Sequence, residues 1–456
     1  MTAHIVDVAK GLNLVLKPEQ IDAILSVLQG KHSRVLFPTG FDKSICFQIL
    51  PLLIPGSFVI VITPYLALAA DQVTSCNRHG IPATFFGSTA PGKQQDNMRG
   101  LVLGQFLIGY MTPEFATSTF KNFIKGLRGD GVRCVAALVV DEVHATVGWA
   151  TEAKNGSNFC AQCLKVGELR AHFPDAPLVM LSATMTGALI RESNALFGLD
   201  EHCVDKVTAQ LNRPETYIHF DFDVKAQSID SPFYLALVHH YRNVANRIEM
   251  YTKVCTDMQR ALVHEALAAP VERRPIVVCG TTSIVTGLDV ADFRFVVVVG
   301  TPNNAEELLQ VMGRAARDGK PGVFKCIYSR AANLASRFRT SDFIGYPQKG
   351  SKQPESSQCL REIMYESFVP KLDLSCNRAN CPCCNWCDPD VSPESAIIAA
   401  YLPPDSRNSL DHHSSPSTLV GSGTSTSCPR SCPLCIQTQL DLKNALVEIF
   451  NAHAQK

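Results

Sequence analysis

PTGFDKS at Pro38–Ser44 and AALVVDEVH at Ala136–His144 are the two stretches that decide the fold of this chain. The first is a glycine-bearing turn placed where a strand-like run, Arg34–Phe37, passes into a helix-like segment. Such a turn presents backbone N–H groups and a lysine ammonium to phosphate oxygens, and its serine hydroxyl reaches a magnesium ion. The second is an apolar run typical of a buried strand, ending in two adjacent carboxylates. That ending holds Asp141 near a metal and Glu142 near an attacking water. In this order on one chain, the two stretches read as a nucleotide-hydrolysing core.

Working outward, Leu16 to Leu211 alternates strand-like and helix-like segments. The candidate strands are Arg34–Phe37, Phe58–Thr63, Ala83–Phe86, Phe106–Tyr110, Ala136–Asp141 and Pro177–Ser182. This alternation predicts an α/β fold with a parallel, doubly wound sheet. A second series, Arg247–Thr252, Pro275–Cys279, Phe295–Val299 and Gly322–Tyr328, predicts a smaller α/β domain. The expected organisation is a first domain over 1–211, a shortened second over 212–344, a cysteine-rich region over 345–400, and a tail over 401–456. In that tail Pro403–Ser427 is rich in Ser, Pro and Gly and is expected to be disordered, and Ile436–His453 fits a short amphipathic helix.

Composition narrows the function classes. At 456 residues the chain is long enough for two or three separate cores. Its apolar runs are strand-length, far short of a membrane span, and the opening MTAHIVDVAK lacks a secretory signal's apolar core. The 18 cysteines, with no such signal, point to reduced thiols and metal ligation rather than disulfides. A net charge of zero means that any nucleic-acid contact uses a local basic surface.

Further signals fall in register with the first two. They are LKPEQIDAILSVLQGK (Leu16–Lys31), VITPYLALAADQVT (Val61–Thr74), IGYMTPE (Ile108–Glu114) and LSATMT (Leu181–Thr186). TTSIVTGLDVADFRFVVVVGTP (Thr281–Pro302) and QVMGRAARDG (Gln310–Gly319) follow in the second region. In this set and order the chain resembles the RecQ-like DNA helicases of superfamily 2, from Leu16 to Tyr328 and more loosely to Cys387.

The resemblance implies two RecA-like domains in tandem with a small zinc-binding region. It implies ATP, Mg²⁺ and Zn²⁺ as cofactors, DNA as the partner, 3′-to-5′ movement on a single strand, and a nuclear location. Gln20 would read adenine; Thr39, Gly40, Lys43 and Ser44 would hold the phosphates and Mg²⁺. Asp141 would bind the metal and Glu142 would orient the water. His144, Ser182, Thr184 and Gln310 would couple the nucleotide site to DNA, and Arg317, with Arg314 beside it, would act as an arginine finger.

Departures from the family's pattern set up an alternative. Phe41 and Asp42 stand where the family's loop has glycines, and Asp42 adds a like charge beside a triphosphate. The loop after DEVH keeps Trp149 and Phe159 but little else of the family's aromatic-rich segment, and the second domain has room for one strand–helix unit between Pro214 and Gly287. The alternative is a helicase-derived pseudoenzyme that binds DNA or a protein partner without productive turnover.

The cysteines carry the remaining chemistry. Cys359, Cys381, Cys384 and Cys387 have spacing that suits a tetrahedral zinc, with Cys376 as a possible replacement for one of them. Cys428, Cys432 and Cys435, and the separate pair Cys160 and Cys163, are read as free thiols.

Overall fold

A computed structural model of the chain describes residues 1–87, 91–126, 133–154, 160–211, 213, 215–221, 248–252, 255–269, 277–280, 290, 293–299, 305–327, 359–365, 368, 384 and 387. Two units emerge: Met1–Asn212 with Ser367–Leu372, and Arg213–Glu366 with Asp373–Lys456. The predicted tail, with Cys428, Cys432 and Cys435, lies outside the described residues, as do Cys376, Cys381, Phe159 and the TTSIVTGLD segment.

The first unit is built on seven parallel strands: β1 His32–Leu36, β2 Ser57–Ile62, β3 Ala83–Phe86, β4 Ile108–Met111, β5 Cys134–Val140, β6 Leu178–Ser182 and β7 Val204–Thr208. Their order across the sheet is β3-β4-β2-β5-β6-β1-β7. Successive side chains of a strand point to opposite faces, and here both faces are covered. On β2, Val59 and Val61 pack with Ile24, Phe47 and Leu50 on one side. Phe58, Ile60 and Ile62 pack with Met98, Phe120 and Val147 on the other. This is why the strands read as unbroken apolar runs rather than alternating ones.

Six of these strands answer to predicted runs, with β4 starting two residues later than expected, at Ile108. The sequence reading missed β7, because VDKVT is a short polar edge strand that pairs only with β1. It also missed β8 (Thr216–Asp221) in the second unit, where TYIHFD offers no continuous apolar run. That unit has β9 Ile248–Tyr251 paired with β10 Val277–Gly280, and β11 Phe295–Val299 and β8 flanking β12 Gly322–Ile327, all parallel. The helix Asp257–Ala268 starts at a Thr256–Gln259 capping box and packs Val263 and Leu267 on Tyr251 and Val290. The stretch between Pro214 and Gly287 thus holds β8 and β10 in addition to the strand–helix unit expected there.

One buried cation, in the middle of β1, ties that strand to the chain ahead of β7. Arg34 is 2% exposed and grips Glu201 with two guanidinium nitrogens at 3.0 and 2.9 Å, while Asn194 accepts a further bond at 2.7 Å. Hydrogen bonding from Arg34, reinforced by Lys206 and Asn194, holds the Glu201 carboxyl down at about 2 against the opposing effect of burial. A depressed folded value means the pair stabilises fully above the unfolded carboxyl value and loses that contribution as pH falls toward the folded one. Glu201→Gln should therefore destabilise the first unit by about 1–3 kcal/mol near neutral pH, through a buried guanidinium left short of acceptors. In urea unfolding followed at several pH values, the gap between variant and wild type should shrink from about pH 4.5 downward.

Candidate functional site

In α/β sheets ligands bind beyond the carboxyl ends of the strands. Here β5, β6 and β1 are neighbours in the sheet, and their ends are nearly level: Leu36 lies opposite Ser182, and Val140 opposite Met180. The phosphate-loop candidate, the DEVH segment and the SAT segment consequently emerge side by side. Phe37 N–H bonds the Ser182 carbonyl at 3.2 Å, which stitches the first of these to the third.

The loop itself needs two left-handed residues, Gly40 at φ 82° and Asp42 at φ 57°. Glycine takes that conformation freely, whereas for an L-residue such as aspartate it costs about 1–2 kcal/mol. Gln20 offsets the strain. Buried at the start of the helix Pro18–Leu28, it donates from Nε2 to the carbonyls of Phe41 (2.8 Å) and Asp42 (3.2 Å). Its Oε1 accepts the Lys17 N–H at 2.8 Å. Both amide hydrogens are thereby committed to the loop, and the role seen for Gln20 is to brace it. Phe41 folds back onto Phe37, with ring centroids 4.7 Å apart, and the Lys17 ammonium stands 3.8 Å from the Phe41 centroid. Thr39, Lys43 and Ser44 are half-buried, Gly40 and Asp42 are exposed, and Ser44 leads into the short helix Ile45–Gln48.

Across from the loop, Asp141 is buried and Glu142 is half-buried at φ 47°, another left-handed residue. Burial first, then the neighbouring Glu142, push Asp141 up to about 7, with Lys43 and the Glu142 N–H (2.9 Å from Oδ1) pulling the other way. Asp141, Glu142 and Ser44 offer oxygen donors of the kind Mg²⁺ takes, and the Lys43 charge acts on Asp141. His144 connects this pair to β6. Its Nδ1 lies 2.9 Å from Ser182 Oγ and 3.4 Å from Glu142 Oε2. Ser182 has one hydroxyl proton, directed to the Thr184 carbonyl at 2.6 Å, so its oxygen accepts from His144 and from Thr184 N–H. Burial lowers the His144 value, Lys43 adds to the effect and Glu142 opposes it, which leaves a neutral ring with its proton on Nδ1. The residues assigned to the nucleotide site and to coupling in this unit are brought together, with Trp149 packed edge-on against Tyr65 at 5.8 Å.

In the second unit, Gln310 ends within the helix Ala305–Met312, and Arg314 and Arg317 lie in the turn that follows it. Arg317 Nε donates to the Gly313 carbonyl at 3.2 Å. Ala316, at φ 55°, donates its N–H to Phe293, and Arg294 pairs with Asp318. Two residues that the sequence reading did not single out hold this turn. Arg213 donates to the Ala315 carbonyl at 2.7 Å, and the fully buried Arg361 donates to the carbonyls of Arg213 (2.8 Å) and Thr216. No motif signals them, since each acts through backbone carbonyls.

Arg361 sits on the helix Leu360–Tyr365, directly after Cys359. The Sγ atoms of Cys359, Cys384 and Cys387 all lie within 4.8 Å of one another, and those of Cys359 and Cys384 are 3.8 Å apart. Zn–S bonds of about 2.3 Å at tetrahedral angles put sulfurs about 3.8 Å apart. The thiols fit zinc on that measure.

Comparison with known proteins follows the same lines. The DEAD/DEAH box helicase family profile matches residues 17–192, and the Helicase conserved C-terminal domain profile matches residues 237–319. The ATP-dependent DNA helicase RecQ of Haemophilus influenzae is 26% identical over 391 residues, covering 80% of this chain and 60% of that protein. The ATP-dependent helicase SGS1 of Saccharomyces cerevisiae is 28% identical over 405 residues, covering 81% of this chain and 27% of its own length. This is a RecQ-like chain of helicase superfamily 2. It spans less than two thirds of the length of these relatives.

Solved structures extend the likeness to the tandem RecA-like fold. The RecQ-like chain aligns with the DUF1998 helicase MrfA bound to DNA and AMPPNP at a TM-score of 0.53, 16% identity, over 71% of this chain and 50% of that one. It aligns with the DEAD-box helicase Mss116 bound to ssRNA and UDP-BeF at 0.52, 14% identity, over 69% and 70%. No helix among the described residues is long and apolar enough to cross a membrane.

Replacing Asp42 by glycine tests the loop. The left-handed strain disappears while the unfolded chain gains freedom, so stability should change by no more than about 1 kcal/mol. Removal of the like charge should raise affinity for a nucleoside triphosphate, measured by titration calorimetry at fixed Mg²⁺.

Proposed function

We propose that the chain is an ATP-driven DNA motor of RecQ type that couples hydrolysis to 3′-to-5′ movement on single-stranded DNA. The observation that carries this reading is the convergence of the phosphate loop, Asp141–Glu142 and His144–Ser182 at the ends of three adjacent strands. Lys43 and the loop N–H groups bind the phosphates of ATP, the substrate. Mg²⁺, held through Ser44 and Asp141, neutralises charge on the transferring group when bound. Glu142 orients the attacking water, and His144 passes its position to Ser182 and Thr184. Arg317 and Arg314 supply positive charge to the developing phosphoryl oxyanions. Cys359, Cys384 and Cys387, with Cys381 as the fourth ligand, would hold zinc, which would fix the start of the helix that carries Arg361. A nuclear site of action goes with DNA as the partner.

The test is ATP hydrolysis with and without single-stranded DNA. Wild type should be stimulated by the strand, Lys43→Ala should lose nucleotide binding, and Glu142→Gln should keep binding without turnover. Arg317→Ala should lower kcat by about 10³-fold with little change in ATP affinity. Tight ATP binding with no hydrolysis in wild type, restored by Asp42→Gly, would favour the pseudoenzyme reading. Metal analysis should find one zinc per chain, lost in Cys384→Ser together with increased protease sensitivity around Cys359.

A further inference from the structure

Cys160 and Cys163 are a third chemical centre, apart from the nucleotide site and the cysteine cluster of the second unit. Their Sγ atoms are 2.7 Å apart. Non-bonded heavy atoms rest at about 3.5–4.0 Å, and a disulfide bond is about 2.05 Å long. The two thiols are therefore in direct contact, with no atom between them. Their separation also differs from the 3.8 Å between Cys359 and Cys384, which matches the edge of a zinc tetrahedron. One chain thus displays two kinds of cysteine pair.

The backbone permits closure. Cys163 N–H bonds the Cys160 carbonyl at 2.9 Å, a tight turn that brings the two Cα atoms within the roughly 4.4–6.8 Å a disulfide requires. Cys160 takes the left-handed conformation, φ 50° and ψ 48°, at the head of the 3₁₀ helix Ala161–His172. The turn is fixed from both sides. Gln162 accepts from Thr117 at 3.2 Å and Glu168 pairs with Lys121 at 2.6 Å. Gly167 lies against the Leu196 carbonyl so closely that an added Cβ would overlap it, so the helix has no room to slide.

The surroundings also divide the two thiols by role. Cys160 is partly exposed, and its S–H donates to Glu114 Oε1 at 3.0 Å. Cys163 is fully buried. The hydrogen bond with Cys160, then burial, then the charges of Cys160 and Glu114, all push the Cys163 thiol upward. An oxidant from solution reaches Cys160 first, and Cys163 waits behind it.

We propose that Cys160 and Cys163 form a reversible dithiol–disulfide site that reacts with low-molecular-weight disulfides. The Cys160 thiolate attacks one sulfur of glutathione disulfide, that S–S bond breaks, and one glutathione leaves as the thiol. Cys163 then attacks Cys160 Sγ, the mixed disulfide breaks, and the second glutathione leaves as the thiol. Two protein thiols are oxidised, one disulfide is reduced to two thiols, and both protons end on glutathione. Closing the bond removes the S–H that Glu114 accepts, so oxidation releases that carboxylate. Such pairs in reducing compartments are transient and redox-sensing rather than structural.

The experiment uses the full-length, zinc-containing protein. It is incubated with glutathione disulfide, free thiols are blocked with N-ethylmaleimide, and peptides are read by mass spectrometry. The peptide carrying Cys160 and Cys163 should lose two hydrogens and take up no maleimide, and dithiothreitol should restore alkylation of both. The exposed Cys134 and Cys203 are internal controls and should carry maleimide or single glutathiones only. Cys163→Ser should stop at a mixed disulfide on Cys160, and the zinc content of Cys160→Ser should equal that of wild type. Separate maleimides or glutathiones on Cys160 and Cys163 would overturn the proposal. So would a zinc lost in Cys160→Ser, since the pair would then be metal ligands.

Discussion

Everything at the candidate nucleotide site depends on the parallel register between β1 and β6. Because Leu36 pairs with Ser182, the two strands end together, and the chain leaving β1 turns over the same edge as the chain leaving β6. β5 completes the row through its pairing with β6. Parallel strands impose this arrangement by geometry: their carboxyl ends must share one edge, and long crossovers must carry the chain back across the faces. A slip of one residue would turn each apolar side chain to the wrong face and separate Phe37 from its bond to Ser182.

That edge concentrates backbone strain. Asp42, Glu142 and Cys160 each hold a left-handed conformation that L-residues avoid, and all three lie in loops beyond the strands. Neighbouring contacts fix each one: Gln20 for the phosphate loop, Asp141 and His144 for Glu142, and Glu114 with the helix turn for Cys160. Strain of this kind persists only where surrounding bonds over-determine the position, and such positions gather at sites of chemistry.

Much of this was legible in the sequence, and what was not has identifiable causes. The inner strands announced themselves because both faces are buried, so AALVV and SFVIVI read as continuous apolar runs. β7 and β8 did not, since an edge strand with Lys206 and a strand with alternating polarity leave no such run. Motif spacing singled out Lys43, Asp141 and Glu142 as candidates, yet gave no hint that Gln20 would spend its amide on the loop or that Lys17 would stand over Phe41. The CxxC at Cys160–Cys163 was visible as spacing, but only the fold sets Glu114 beside it, from the far side of the DEVH helix in sequence. Arg213 and Arg361 were illegible because each recognises carbonyl oxygens, which every residue has.

The two arginines change where the second unit can be said to end. Arg361 belongs by sequence to the cysteine-rich region, yet its guanidinium fills the carbonyls of Arg213 and Thr216 at the start of the second sheet. Arg213 in turn holds the carbonyl of Ala315. A chain stopped ahead of Leu360 would remove the Arg361 hydrogen bonds to the Arg213 and Thr216 carbonyls and would loosen the residue that holds the arginine turn. The cysteine-rich region is therefore less an appendix than the keystone of the second unit. Its clustered cysteines and the turn bearing Arg314 and Arg317 lie at two ends of one short chain of hydrogen bonds, so the second sheet cannot be excised cleanly from the segment that follows it.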